Sequence, residues 1–184
     1  MRLFFSQPPE RGTRPAIFLD RDGVINQRVT GGYVTAWDQF QFIEGIDKAL
    51  AILSGWGLPI IVVSNQACVG KGLLSESRLQ GMTRRFAAVL ELAGGRIDAV
   101  YYCPHKPDDA CGCRKPKPGL LEQASRDWRI DLSQSVLVGD SPSDLEAAAA
   151  VNCRAILFDP TRERAPGIAA RLSRLLQEIP SSAR

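Results

Sequence analysis

The sequence predicts an α/β fold, a Rossmann-like parallel sheet with helices on both faces. Two observations carry this. Short apolar, β-branched runs alternate with segments of helical period, the pattern of βαβ units. Three of those runs also end in polar residues, at the carboxyl strand ends where open α/β sheets bind ligands.

Five strands are predicted at Ala16 to Asp20, Leu58 to Ser64, Asp98 to Tyr102, Ser135 to Gly139 and Arg154 to Phe158. Each is short, apolar and bounded by polar or glycine residues, as strands buried on both faces are. Between the second and third, Leu79, Met82, Phe86, Val89, Leu90 and Ala93 recur at helical spacing within Ser75 to Ala93 and form one core stripe. Pro118 opens another helix carrying Leu120, Leu121, Ala124 and Trp128. The last helix presents Ile168, Leu172, Leu175, Leu176 and Ile179 on one face, with Arg164, Arg171 and Arg174 among its polar positions. Residues 1–14 and 180–184 lack periodicity and are expected to fray.

A chain of 184 residues that is 45% hydrophobic supports one sizeable core, so residues 1–184 are read as a single domain without a large cap domain. The net charge of +3 is weak evidence for a nucleic-acid partner. The opening residues lack the apolar stretch of a signal peptide, and no run of about eighteen apolar residues occurs to span a membrane. Five cysteines, three of them crowded around the single histidine, fit reduced thiols and a cytoplasmic location. A monomer is expected.

The polar strand ends are Asp20-Arg21-Asp22-Gly23, Ser64-Asn65-Gln66 and Gly139-Asp140-Ser141. Folding brings Asp20, Asp22 and Asp140 into one crevice. Converging carboxylates repel one another unless a cation joins them, and hard oxygen donors select Mg2+, with phosphate as its natural co-ligand. Alone, Asp20-Arg21-Asp22-Gly23 is an ordinary turn. Ser141-Pro142-Ser143-Asp144 matches a capping box, so Asp144 is read first as a helix cap and at most as a neighbour of the metal's ligands. Arg114-Lys115-Pro116-Lys117 brings cations to the same crevice, where they can offset charge on a transferring phosphoryl group. Lys115, fixed before Pro116, suits the site, and Lys117 reads as surface.

Taken in order, Asp20-Arg21-Asp22-Gly23, Ser64-Asn65, Lys115 and Gly139-Asp140 resemble the four motifs of haloacid dehalogenase (HAD) phosphatases, over residues 16 to 144. Asn26, Gly32-Tyr33-Val34, Tyr101-Tyr102-Cys103-Pro104-His105 and Cys113-Arg114-Lys115-Pro116 further resemble the branch of heptose bisphosphate and histidinol-phosphate phosphatases. The resemblance implies a HAD fold and a Mg2+-dependent phosphomonoester hydrolase. Its nucleophile would be Asp20, forming an aspartyl phosphate, and its acid and base would be Asp22. It further implies Mg2+ on Asp20, Asp22 (through its backbone carbonyl) and Asp140, phosphoryl contacts from Ser64, Asn65 and Lys115, and substrate contacts from Arg114. The expected substrate is a small phosphorylated sugar, the 7-phosphate of D-glycero-D-manno-heptose 1,7-bisphosphate being favoured over histidinol phosphate or other sugar phosphates. Val24 stands where these families have threonine, Val29-Thr30-Gly31 marks two extra residues, and the five-residue gap between His105 and Cys111 is short as in the histidinol-phosphate branch.

Cys103, His105, Cys111 and Cys113 supply one imidazole and three thiolates, a closed tetrahedral set for structural Zn2+ in a loop spanning 103–113. Such a loop would hold Arg114 and Lys115 in place, and with the segment from Gln27 to Gln39 it would form a substrate-selecting rim. Cys68 and Cys153 lie outside the set and read as buried small hydrophobes.

Gly70-Lys71 follows a strand, yet Asn65 and Gly72 do not fit a phosphate-binding P-loop, and no G-x-G-x-x-G follows any predicted strand. A non-enzymatic zinc module binding nucleic acid leaves the strand-end aspartates unexplained, and those would repel a phosphodiester backbone.

Overall fold

The computed structural model describes residues 1–10 and 12–177. Its strands are β1 (Arg2–Phe4), β2 (Ile17–Leu19), β3 (Ile60–Asn65), β4 (Ala99–Cys103), β5 (Val136–Gly139) and β6 (Arg154–Leu157). Its helices are α1 (Ile46–Ser54), α2 (Ala67–Gly70), α3 (Glu76–Leu92), α4 (Gly119–Trp128), α5 (Pro142–Ala149) and α6 (Pro166–Gln177). The strands form one sheet in the order β1-β4-β3-β2-β5-β6, parallel throughout except for antiparallel β1.

Side chains alternate across the strands, and each face is covered by its own helices. Ile17, Leu19, Ile60, Val62, Val100 and Val138 pack with residues of α1, α3 and α6. Phe18, Ile61, Val63, Tyr101 and Leu137 pack with α4 and α5 on the other side. All five predicted strands form, and no cap domain interrupts the alternation among the described residues.

Three details depart from the sequence reading. Residues 1–14 are not wholly frayed: β1 pairs Arg2 with Tyr101 and Phe4 with Ala99, while Leu3 joins the core. Three residues are too few to show periodicity. Phe4 is anchored between the rings of Tyr101 and Trp128, and Arg2 pairs with Asp127 at 2.7 Å. On α3, Leu79, Met82, Phe86 and Leu90 are buried, but Val89 and Ala93 are exposed. Buried Thr83 takes a place in that stripe because its hydroxyl is satisfied by the Leu79 carbonyl at 2.7 Å and Tyr102 Oη at 2.9 Å. On α6, Ile168 and Leu172 are buried as expected. Leu175 and Leu176 lie on α6 but their side chains are outside what is described, as are Ile179 and residues 180–184 altogether.

Strand order reverses at β2. The chain runs from β2 through β3 to β4 on one side, then crosses back to β5 and β6 on the other. The crevice at this switch point opens over the carboxyl ends of β2 and β5, and there Asp20 and Asp140 stand.

Candidate active site

Asp20 immediately follows β2 and is buried, with the Lys115 ammonium 2.8 Å from its Oδ1. Lys115 arrives from the loop before α4 and also donates to the Val63 carbonyl at 2.9 Å and to Asp144 Oδ1. Asn65 at the end of β3 fixes that loop through two bonds to the Lys115 backbone, Nδ2 donating to the carbonyl at 3.0 Å and Oδ1 accepting from the amide at 3.1 Å. Asn65 thus acts on Lys115 itself, in addition to lining the cavity. Ser64 lines the same cavity, and its hydroxyl accepts from Gln66 Nε2 at 3.1 Å.

The carboxylates that gather are Asp20, Asp140 and Asp144, with oxygens within 4.8 Å of one another. The expected third member was Asp22, and its side chain is engaged elsewhere. It accepts from Arg21 Nη2 at 2.8 Å, from Asn26 Nδ2 at 2.9 Å and from Gln66 Nε2 at 2.7 Å. Asp144 is the cap that the sequence implies, Oδ2 accepting from the Ser141 amide at 3.1 Å and hydroxyl at 2.6 Å. Its other oxygen belongs to Lys115, so one residue both caps α5 and holds the lysine.

Two glycines permit this convergence. At Gly23, with φ of +93°, a Cβ would lie 1.8 Å from Asp140 Oδ2, and at Gly139 a Cβ would lie 2.2 Å from that of Asp144. Neither position can carry a side chain without displacing a carboxylate.

Electrostatics follow from burial. Burial pushes Asp20 above its ordinary value, assisted by the charges of Asp144 and Asp22 and opposed by Lys115. Asp140 is pushed up to about 7, by burial first and then by the Asp20 charge, against the pull of Arg28. Burial alone would lower Lys115, but Asp20 and Asp144 outweigh it and keep the ammonium charged. For Asp22, burial is outweighed by the Arg21 charge and the bonds from Arg21, Asn26 and Gln66, which hold the carboxyl below the usual range. Crowded carboxylates whose burial opposes ionisation form a donor set that a divalent cation stabilises, and all the donors are oxygens, as Mg2+ requires. Asp144 accepts at both oxygens whereas Asp20 and Asp140 each accept at one, so Asp20 and Asp140 are the members of this set most open to such an ion.

A cavity of about 450 Å³ opens over this floor. Its wall carries Ser64, Asn65, Arg114 and Lys115 as expected, together with Lys71 and the predicted rim residues Gly32, Tyr33 and Val34. Lys117 is exposed and donates to the carbonyls of Ala110 and Cys111. Sequence reasoning missed Arg28, whose Nη2 lies 2.6 Å from Asp140 Oδ1, and it missed the buried Arg21 beneath Asp22. Arg28 lies in a loop without a pattern that announces chemistry, and Arg21 stands in the Asp20-Arg21-Asp22-Gly23 run with no role of its own assigned, whereas Gln66 adjoins a strand end and could have been suspected.

Beside the cavity, Cys103 at the end of β4 meets His105, Cys111 and Cys113, with one donor atom from each within 4.8 Å of the others. His105 Nδ1 is 3.5 Å from the Cys103 sulfur and 3.3 Å from that of Cys113, and Cys111 is 3.6 Å from each of the other two sulfurs. A tetrahedral ion with Zn–S bonds of ~2.3 Å and Zn–N bonds of ~2.0 Å sets edges of about 3.5–3.8 Å, so the four atoms fit Zn2+. Cys68 and Cys153 are buried free thiols apart from this cluster. Among the described residues no helix is long and apolar enough to cross a membrane.

The HAD-hydrolase-like family profile matches residues 112–166. The D-glycero-beta-D-manno-heptose-1,7-bisphosphate 7-phosphatase of Yersinia pestis is 41% identical over 145 residues, covering 75% of this chain and 76% of that protein. The D-glycero-alpha-D-manno-heptose-1,7-bisphosphate 7-phosphatase of Mycobacterium tuberculosis (strain CDC 1551 / Oshkosh) is 43% identical over 151 residues, covering 79% of this chain and 80% of its own. The crystal structure of D,D-heptose 1,7-bisphosphate phosphatase from B. bronchiseptica, complexed with magnesium and phosphate, superimposes with a TM-score of 0.81 at 32% identity, over 87% of this chain and 98% of that one. With this fold, these strand-end residues and this degree of identity, the chain is a phosphatase and belongs to the HAD superfamily, in the branch that includes the heptose bisphosphate phosphatases.

Proposed function

We propose that this enzyme is a Mg2+-dependent phosphomonoester hydrolase that removes the 7-phosphate of D-glycero-D-manno-heptose 1,7-bisphosphate through an aspartyl phosphate on Asp20. One observation carries the chemical reading: Lys115 fixes Asp20 at 2.8 Å on the floor of a cavity whose wall is cationic. Relatives at 41–43% identity that are named for this reaction support the substrate.

In the first step a carboxylate oxygen of Asp20 attacks phosphorus, and the bond from phosphorus to the sugar oxygen breaks. Asp22 gives that leaving oxygen its proton. Asp22 rests as a carboxylate against Arg21, so this ion pair must loosen and Asp22 take up a proton from solvent before it can give one to the leaving oxygen. In the second step Asp22 takes a proton from water, whose oxygen attacks phosphorus and frees inorganic phosphate and Asp20. Ser64 offers its hydroxyl to the phosphoryl oxygens, Lys115, whose three N–H bonds go to Asp20, Val63 and Asp144, sets its positive charge beside them, and Arg114 stands at the wall to hold the sugar phosphate. Asp20, Asp140 and the main-chain carbonyl of Asp22 would hold Mg2+, which supplies charge neutralisation between these carboxylates and the phosphoryl group.

Zn2+ in the Cys103–His105–Cys111–Cys113 set is the structural partner of this chemistry. Cys113 is followed directly by Arg114 and Lys115, so fixing the thiolates fixes both cations.

Phosphate release tests the reading, with both anomers of heptose 1,7-bisphosphate set against histidinol phosphate and simple sugar monophosphates, with Mg2+ or with EDTA. The proposal expects Mg2+-dependent release with the highest kcat/KM on a heptose bisphosphate. Higher kcat/KM on histidinol phosphate or on a monophosphate would contradict the substrate, and full turnover in EDTA would contradict the metal.

A further inference from the structure

Arg28 is the rim residue that neither the chemistry above nor the strand-end motifs absorb. It precedes Val29-Thr30-Gly31, where the rim is longer than in the related pattern. Its side chain is 53% exposed, yet its Nη2 is 2.6 Å from Oδ1 of Asp140, a carboxylate only 9% exposed. Arg28 also lines two cavities at once, the one over Asp20 and a neighbour of about 460 Å³ that contains Asp140 and Gly23. The guanidinium therefore stands at the junction between the metal carboxylates and the outer wall of the substrate cavity, where Lys71 lies 5.2 Å from the Tyr33 ring and Arg114 reaches the His105 carbonyl.

We propose that Arg28 is a specificity-determining residue that binds the second phosphate of the substrate, and that it is parked on Asp140 until a divalent cation takes that carboxylate. The inference rests on the bisphosphate reading above.

Arg28 and a divalent ion both seek Asp140, and two cations at one carboxylate repel each other. Mg2+ demands short, fixed oxygen contacts, whereas an exposed arginine pair is weak and its side chain long, so the arginine is the one that moves. Once displaced, it finds only engaged carboxylates on the two cavity walls: Asp20 and Asp22 are held by Lys115 and Arg21, and Glu44 and Glu163 of the neighbouring cavity by Arg164 and Arg171. A phosphate in the cavity then offers the planar, bidentate partner that a guanidinium favours over an ammonium. With one phosphate over Asp20, the second lies toward the rim that Arg28 shares with Lys71 and Arg114. Metal binding and recognition of the second phosphate are in this way coupled through one side chain.

The test compares wild type with Arg28→Gln and Arg28→Lys by two measurements. The first is calorimetric titration of metal-stripped, zinc-loaded protein with Mg2+ and no phosphate. Losing the competitor should tighten Mg2+ binding by roughly two- to fivefold in Arg28→Gln, while Arg28→Lys stays nearer wild type. The second is kcat/KM on heptose 1,7-bisphosphate against heptose 7-phosphate. Arg28→Gln should lose roughly 10- to 100-fold on the bisphosphate, the worth of a charge-assisted contact, and several-fold less on the monophosphate. Unchanged or weaker Mg2+ binding, or equal losses on the two substrates, overturns the proposal. A wild type with no preference for the bisphosphate instead overturns the substrate reading on which it rests, whatever Arg28→Gln does.

Discussion

Lys115 reaches 95 residues back along the chain to place its ammonium 2.8 Å from Oδ1 of Asp20, and it bonds Asp144 from the same atom. Its side chain is 3% exposed, so it is the buried counter-charge of two buried carboxylates. Lys115→Ala leaves both uncompensated and removes a positive charge from beside the phosphoryl group. Turnover should fall roughly 100- to 1000-fold, and stability by about 3 kcal/mol. Steady-state kinetics and urea denaturation check both. A variant with wild-type stability would show that Lys115 does not neutralise this pair.

Asp22 has a structural duty as well as its proposed chemical one, because it is the ion-pair partner of Arg21, which is 1% exposed. Asp22→Ala should cost about 3 kcal/mol by stranding that guanidinium. Asp22→Asn keeps an acceptor oxygen and should cost less, while both variants lose kcat. Equal stability of Asp22→Ala and Asp22→Asn would contradict the role assigned to the Arg21 pair.

Gly23→Ala tests the convergence of β2 and β5 directly. A methyl group would lie 1.8 Å from Asp140 Oδ2 at a φ of +93°. A stability loss of about 1–3 kcal/mol is expected from backbone strain, and the shifted carboxylate should weaken Mg2+ binding in calorimetry. Mg2+ affinity equal to wild type would argue that Asp140 is not a ligand.

How much of this was legible in the sequence depends on how local the signal is. The five parallel strands were legible because each is a continuous apolar run, and Asp20, Ser64, Asn65 and Asp140 because they stand at strand ends. The short edge strand β1 was not, since three residues carry no period and its order comes from contacts with Tyr101, Trp128 and Asp127. Asp144 read as a cap, which it is, and its second oxygen could be assigned only once the distant Lys115 loop was seen beside it. Arg28 was legible only as one position of the rim segment, because an arginine in a loop has no pattern, and its own meaning comes from its distance to Asp140.

The zinc account predicts about one Zn2+ per chain, by metal analysis of protein produced with zinc available. Cys111→Ser should lower both stability and kcat/KM, because the freed loop no longer holds Arg114 and Lys115. EDTA treatment mild enough to spare Zn2+ should stop activity reversibly with Mg2+. Stripping the zinc should leave a loss that Mg2+ does not repair. A zinc-free protein with full activity would reduce the cluster to neighbouring thiols.

The central claim is that Asp20 becomes phosphorylated. The direct measurement is rapid quench of the enzyme with 32P-labelled substrate followed by peptide mapping, with Asp22→Asn included to slow release of the acyl phosphate. Label should appear on the peptide containing Asp20 in wild type, accumulate in Asp22→Asn and be absent from Asp20→Asn, which should also lose turnover by roughly a thousandfold or more. Label on any other residue, or an Asp20→Asn variant that still turns over substrate at an appreciable rate, would contradict the account.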